Sequence, residues 1–237
     1  MPQSKKKSRF RRFLRWGFKW FLKILLTLLV FTTLQVFLLR FIDPPFTARV
    51  SWKWLQNKFT DRNIKTPKYF WTSLNDISLH LKKAVMAGED QRFFIHHGFD
   101  FVEINVAVQD LMKAGRVRGA STITMQVART VFLWHGRSWW RKLAEAYYTV
   151  LIELFWSKAR ILEMYLNTVD WGPGIMGAEA ASRKYFNTAS SLITPSQAAL
   201  LASILPSPHK WSPINPNKSV KERQKKIMRD MGKKSDL

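Results

Sequence analysis

Residues 87 to 100, AGEDQRFFIHHGFD, gather three carboxylates and two imidazoles in a chain whose formal net charge is +23. Glu89 and Asp90 are adjacent, His96 and His97 follow, Asp100 closes the stretch, and Phe93, Phe94 and Phe99 lie between them. A carboxylate held among aromatic side chains loses hydration, and its pKa rises toward the neutral range in which a general base works. Glu89, at the C-terminal end of an apolar helical pattern, is the candidate for that work. The competing reading makes Glu89 and Asp90 a solvated helix end paired with Arg92.

A second stretch supplies the opposite charge. GASTITMQVART, residues 119 to 130, offers the Ser121 and Thr122 hydroxyls and backbone N–H groups at a helix start, where the helix dipole favours an anion. Gln126 and Arg129 follow one and two turns on, and HGRSWWRKLAEA adds Arg137, Arg141, Lys142 and Glu145. Guanidinium forks match phosphate oxygens, so hydroxyls and cations in this order read as a cradle for a diphosphate. The alternative is an ordinary ion pair, because Arg141 and Glu145 are four apart and share a helix face. With Cys 0, a thiolate nucleophile, a cysteine metal site and a disulfide framework are excluded.

The elements that must position these groups read as helices from residue 75 onward. Leu79, Leu81, Ala84 and Val85 begin one that runs into Glu89. Asp100 and Glu103 form a capping box for another ending at Gly115. Ser121 and Thr122 open a third, Ser138 caps a long one through Trp156, and Ser157 caps one through Asn167. TPSQAALLASIL has proline in its first turn and stops at Pro206. Glycine and proline loops such as WGPGIMG separate them, with no strand alternation of useful length and no internal repeat. The expectation is one mostly α-helical domain.

The N-terminal part reads as a membrane anchor. Lys5, Lys6, Lys7, Arg9, Arg11, Arg12, Arg15, Lys19 and Lys23 precede the uncharged run Ile24 to Leu39. With Phe21, Phe41 and Ile42 the apolar segment reaches about 33 Å at about 1.5 Å per residue. A signal peptide has a shorter apolar region and a small-residue cleavage site, which is missing after Leu39. A surface helix would not be apolar on every face. The organisation expected is therefore a cytoplasmic basic tail (1–20), a transmembrane anchor (21–42), a membrane-proximal segment (43–70) and a catalytic domain (71–237) on the far side. Trp52, Trp54 and Trp71 suit either a membrane interface or a linker with core aromatics. After position 42 there remain 29 basic against 16 acidic residues. That excess accompanies ordered motifs on the far side of the membrane, whereas a basic membrane scaffold or a nucleic-acid binder would carry it on the cytoplasmic side or along one stripe.

EDQRFFIHHG, GASTITMQ, RKLAE and RILEMYLN occur in sequence, and they resemble the motifs of the family 51 peptidoglycan glycosyltransferases, found also in class A penicillin-binding proteins. WGPGIMGAEAASRKYF and TPSQAALLASILPSP are similar to the rest of that domain, so the resemblance covers about residues 70 to 230. It is strongest to the monofunctional members. It implies a lysozyme-like helical glycosyltransferase domain, behind one transmembrane helix, that polymerises lipid II. The growing glycan on undecaprenyl diphosphate is the donor, and Glu89 is the base that deprotonates the acceptor 4-hydroxyl. Attack then inverts MurNAc C1, forms a β-1,4 link and releases undecaprenyl diphosphate. Glu145 is implied as a second catalytic residue, orienting either the reacting groups or the diphosphate and its metal. Asp90, Ser121, Thr122, Gln126, Arg129, Arg137, Arg141, Lys142 and Asn167 are implied in holding substrate and diphosphate.

The same resemblance implies Mg2+ or Mn2+ as a companion ion and no organic cofactor. It places the protein in the bacterial inner membrane, with its domain periplasmic and cell-wall synthesis or division proteins as partners. His96 is implied to orient its loop and not to carry the proton. The chain departs from the family pattern at Met125, where a first glutamine is usual, and at Arg129 and Thr130, where lysine and asparagine are common. No S-x-x-K motif with a downstream K-T-G is present, so acyl transfer is not expected. The alternative is a membrane-anchored, lysozyme-like lytic enzyme acting on finished peptidoglycan, which needs a glutamate but no diphosphate cradle.

Overall fold

The structure, a computed structural model, describes residues 3–44, 70–115, 119–134, 136 and 138–233. It divides into two compact units, Met1–Ile42 and Asp43–Leu237. In the first, a single helix α1 spans Gln3–Leu39. Within its stretch Leu14–Leu39 an 18-residue segment has a mean hydropathy of 2.2, and the helix is long and apolar enough to cross a bilayer. Arg15, Lys19 and Lys23 lie in its N-terminal part, and from Ile24 to Leu39 it carries no charge. The hydroxyls of Thr27 and Thr32 donate to Lys23 O at 2.9 Å and Leu28 O at 2.8 Å, so neither needs water. Of the three tryptophans assigned to the interface or linker, Trp52 and Trp54 lie outside the described residues. Trp71 packs under the Arg160 guanidinium, 5.2 Å from ring centroid to cation.

The second unit is mostly helical, as expected. Its helices are α2 (Leu79–Glu89), α3 (Phe101–Ala114), α4 (Ile123–Phe132), α5 (Trp139–Phe155), α6 (Lys158–Thr168), α7 (Ala178–Phe186), α8 (Pro195–Ile204) and α9 (Lys218–Gly232). Two short strands, β1 (Asp170–Gly172) and β2 (Ile175–Met176), pair antiparallel inside the WGPGIMG loop. Strands of three and two residues are too short to carry a readable alternation, which is why the sequence shows only a loop there.

Side-chain caps set the helix starts. Ser78, Asp100, Thr122, Ser138, Ser157, Thr194 and Asn217 each accept a first-turn N–H, an arrangement that stabilises a helix by about 1 kcal/mol. At Asp100 one carboxylate oxygen takes the N–H groups of both Val102 and Glu103. The reciprocal capping box forms at Thr194 and Gln197.

Packing then brings distant segments together. Helix α8 is buried on most of its surface, and Ala198, Ala199 and Ala202 leave room for close approach on both sides. Leu81, Ala84 and Val85 of α2 and Val220 and Ile227 of α9 are buried with it, and α8 packs against both helices. Each such aliphatic residue contributes about 1.5–3 kcal/mol on leaving water. The result lays the last turn of α2, carrying Glu89, along α9. On the other side α4 packs between α5 and α6. The ribbon returns to α6 through Gly177, whose φ is +84° and where a Cβ would stand 2.8 Å from Asn167 O. Only glycine fits that approach.

Candidate active site

The last turn of α2 leaves Glu89 half-buried at the wall of an open cleft of about 530 Å³. Both of its carboxylate oxygens are engaged. Arg223 Nη2 donates to Oε1 at 2.9 Å and Gln126 Nε2 donates to Oε2 at 3.0 Å. The Gln126 amide is itself oriented by the Tyr165 hydroxyl, which donates to Gln126 Oε1 at 3.4 Å. Burial pushes the Glu89 carboxyl above its usual range, while the Gln126 hydrogen bond and the nearby Arg223 and Arg129 charges pull it down without cancelling that effect. Burial also raises the Tyr165 phenol, so the hydroxyl keeps the proton it donates. The solvated helix end is therefore the wrong reading for Glu89.

Asp90 takes a different part. It is buried, its Oδ2 accepting the backbone N–H of Ile123 at 2.9 Å while His96 Nε2 donates to Oδ1 at 2.9 Å. It also lines the cleft, and its two hydrogen bonds join the motif loop to the first turn of α4. The loop is held further by Lys158, whose ammonium donates to His96 O at 2.7 Å and to Glu153 Oε1 at 2.8 Å and sits 4.7 Å from the Phe93 ring centroid. Phe93 is core, whereas Phe94 is exposed. His96 is buried within the loop, held there by Asp90 and by Lys158.

The implied diphosphate residues divide into groups. Ser121, Gln126 and Arg129 line the same cleft as Glu89, and Arg129 forms no ion pair among the described residues. Thr122 also borders it, but its hydroxyl donates to Gly98 O at 2.6 Å and accepts the Met125 N–H at 3.2 Å, so it serves the fold. Asn167 is buried, donating to Thr72 O at 2.8 Å and Glu163 O at 2.9 Å and accepting the Thr72 N–H at 2.8 Å. Each polar atom of its side chain pins the entry to the domain, which leaves none for a phosphate. Met125, at the departure from the family pattern, is a buried core residue.

Glu145, Arg141 and Lys142 form a separate cluster on the first turns of α5, and none of them borders the Glu89 cleft. Glu145 is 0% exposed and receives Lys142 Nζ on Oε1 and Arg141 Nη1 on Oε2, the latter at 3.3 Å. The carboxylate is thus buried and Arg141 partly so, unlike the surface pair that helix spacing alone suggests. Arg137 lies outside the described residues.

Arg223 and Lys226 of α9 complete the cleft and were not singled out in the sequence. The signal was present. Val220, Arg223, Ile227 and Met231 follow one another at spacings of three, four and four, which puts an arginine on the apolar stripe of an amphipathic helix.

Asp90, His96 and Asp100 place their potential ligand atoms within 4.8 Å of one another. They do not fit a magnesium or manganese ion. Both Asp90 oxygens and His96 Nε2 are hydrogen-bonded, Asp100 Oδ1 caps α3, and Arg92 Nε stands 3.2 Å from Asp100 Oδ2, whereas such ions require several free oxygen ligands.

A half-buried glutamate of raised pKa facing hydroxyl, amide and guanidinium groups on a mostly helical domain is suited to glycosyl transfer. The transglycosylase family model matches residues 56–232, and the chain belongs to that family. It is 49% identical over 196 residues to a biosynthetic peptidoglycan transglycosylase of Pseudomonas entomophila, with 83% of each chain covered. A protein of the same name from Stutzerimonas stutzeri is 44% identical over 209 residues, covering 88% of this chain and 86% of that one. A third, from Shewanella oneidensis, is 44% identical over 218 residues, covering 91% and 92%.

Proposed function

We propose that this protein is a peptidoglycan glycosyltransferase that polymerises lipid II into β-1,4-linked glycan, inverting MurNAc C1 and releasing undecaprenyl diphosphate. One observation carries the reading: Glu89 and the Ser121 to Arg129 wall border one cleft. Glu89 takes the proton from the acceptor 4-hydroxyl, its raised pKa making it a competent base near neutrality. Ser121 and Arg129 meet the diphosphate as its charge grows, an interaction stronger in the transition state than in the ground state. Glu145 keeps Arg141 and Lys142 oriented as further diphosphate contacts. A Mg2+ or Mn2+ ion enters only as a companion of the diphosphate oxygens, and no step is assigned to it.

The surroundings support a lipid-linked substrate. Helix α3 buries none of its residues although it is rich in apolar ones, with Phe101 75% and Met112 81% exposed, and Trp139 and Trp140 at the start of α5 are 86% and 78% exposed. Apolar surface of that kind marks contact with a membrane or an acyl chain. Helix α1 is then a single-pass anchor in the inner membrane, with its basic end cytoplasmic and the catalytic unit periplasmic.

The test is incubation of the purified full-length protein with lipid II in detergent. Glycan strands and undecaprenyl diphosphate are expected from the unaltered protein and not from Glu89→Gln. Release of sugars from finished peptidoglycan, with no polymerisation of lipid II, would overturn the proposal in favour of a lytic enzyme.

A further inference from the structure

Glu89 is approached from several elements, and the groups that face it differ in what they can supply. From α4 come Gln126, which donates a neutral hydrogen bond, and Arg129, a charge without a hydrogen bond to the carboxylate. Tyr165 of α6 acts through Gln126. Asp90, Asp100 and Glu103 add negative charge around the cleft, and Lys226 of α9 adds positive charge. Arg223 alone does two things at once. Its Nη2 donates to Glu89 Oε1 at 2.9 Å and to the backbone carbonyl of the preceding residue, Gly88, at 2.7 Å. Gly88 leaves room for this approach, since a Cβ there would meet Ile227 Cδ1 at 3.1 Å and Arg223 Nη2 at 3.7 Å. The guanidinium is therefore clamped to the end of α2 by backbone as well as by charge.

We propose that Arg223, reaching from the C-terminal helix α9, is a positioning residue of the catalytic site that holds the Glu89 carboxylate in its ionised form and in one orientation. This inference rests on the reading of Glu89 as the general base. The physical need is plain, because burial disfavours the very charge a base must carry. A fixed cation at hydrogen-bond distance offsets that penalty enough for the carboxylate to be ionised at working pH, yet leaves it basic. It also gives α9 a role in catalysis that packing alone does not require.

The experiment is the pH profile of kcat/KM for lipid II polymerisation by the full-length protein, compared with Arg223→Met, Arg223→Lys, Lys225→Met and Glu89→Gln. The acid limb reports protonation of the base in the free enzyme. In Arg223→Met the limb should move up by about one to three pH units, the usual influence of a close opposite charge, with the rate recovering at high pH. Arg223→Lys should move it less, since the charge remains but the double hydrogen bond does not. Lys225→Met, an exposed charge on the same helix, should leave it in place. A loss of rate in Arg223→Met that is equal at every pH, with an unmoved limb, would overturn the proposal and make Arg223 a packing residue. Should Arg223→Met fail to fold, Arg223→Lys decides, an upward shift supporting the proposal and an unmoved limb overturning it. Retention of normal turnover by Glu89→Gln would remove the underlying reading. An inactive, folded Glu89→Gln together with an unmoved limb in Arg223→Met removes the Arg223 proposal alone.

Discussion

The Asp90 carboxylate accepts the backbone N–H of Ile123 at 2.9 Å across a separation of 33 residues. One short buried side chain thereby ties the end of α2 to the first turn of α4, placing negative charge where the helix dipole favours it. Asp90→Ala leaves the Ile123 N–H and His96 Nε2 buried without these partners. Each orphaned group costs about 1–3 kcal/mol, so thermal unfolding followed by circular dichroism should show a clearly lowered Tm. Asp90→Asn, which keeps an acceptor for Ile123, should lose less. Unchanged melting of Asp90→Ala would contradict the role assigned to this residue.

Glu89 should make stability depend on pH in the direction opposite to a salt-bridged acid. Its folded-state pKa lies above the ordinary carboxylate value. The native state therefore holds the proton more tightly than the unfolded chain, and stability falls as pH rises from the ordinary carboxylate range through the raised value. Glu89→Gln has no such proton to lose. The Tm of Glu89→Gln minus that of the unaltered protein should rise with pH across this window and then level off. A difference that falls with pH would mean that Arg223 and Gln126 outweigh burial.

Gly98 gives a backbone prediction. Its φ is +86°, and a Cβ would lie 2.7 Å from Thr149 Cγ2 and 3.0 Å from Glu153 Cγ. Gly98→Ala combines strain of about 1–3 kcal/mol with a steric clash. It also shifts the carbonyl that accepts the Thr122 hydroxyl. Gly115→Ala, at φ +61° with no described atom within 4 Å of the added Cβ, incurs the backbone strain without that clash. The drop in Tm should be larger for Gly98→Ala, and equal drops would remove the packing argument.

Asn167 and Arg129 should separate stability from substrate handling. Asn167→Ala removes three hydrogen bonds that fasten Thr72 and the end of α6, at roughly 1 kcal/mol each. It should lower Tm and leave KM of the folded protein unchanged. Arg129→Ala should do the reverse, with Tm nearly unchanged and both kcat and affinity reduced, because a transition-state contact is lost. A raised KM for Asn167→Ala in folded protein would return it to the diphosphate site.

Much of the site could be read along the chain because local order carries it. Caps at Ser78, Asp100, Thr122, Ser138, Ser157 and Thr194 mark helix starts through bonds made within a single turn. The continuous apolar stretch to Leu39 is legible for the same reason, since a bilayer-crossing segment is specified by composition alone. Glu89, Ser121, Gln126 and Arg129 stand out by residue type and motif order.

What the tertiary structure decided is which polar group each of these meets. Asp90, Thr122 and Asn167 have the chemistry of ligands, and the folded chain gives them structural partners at Ile123, Gly98 and Thr72. Arg223 lies 134 residues from Glu89, and helical periodicity sets it on the apolar stripe of α9 without naming its partner. Sequence periodicity can place a charge on a buried face, but only the packing of α2, α8 and α9 tells whether a carboxylate waits there. Hydrophobic burial is non-directional and set by composition, while a hydrogen bond requires two atoms at about 3 Å. The first is therefore written along the chain, and the second exists only once the chain has closed on itself.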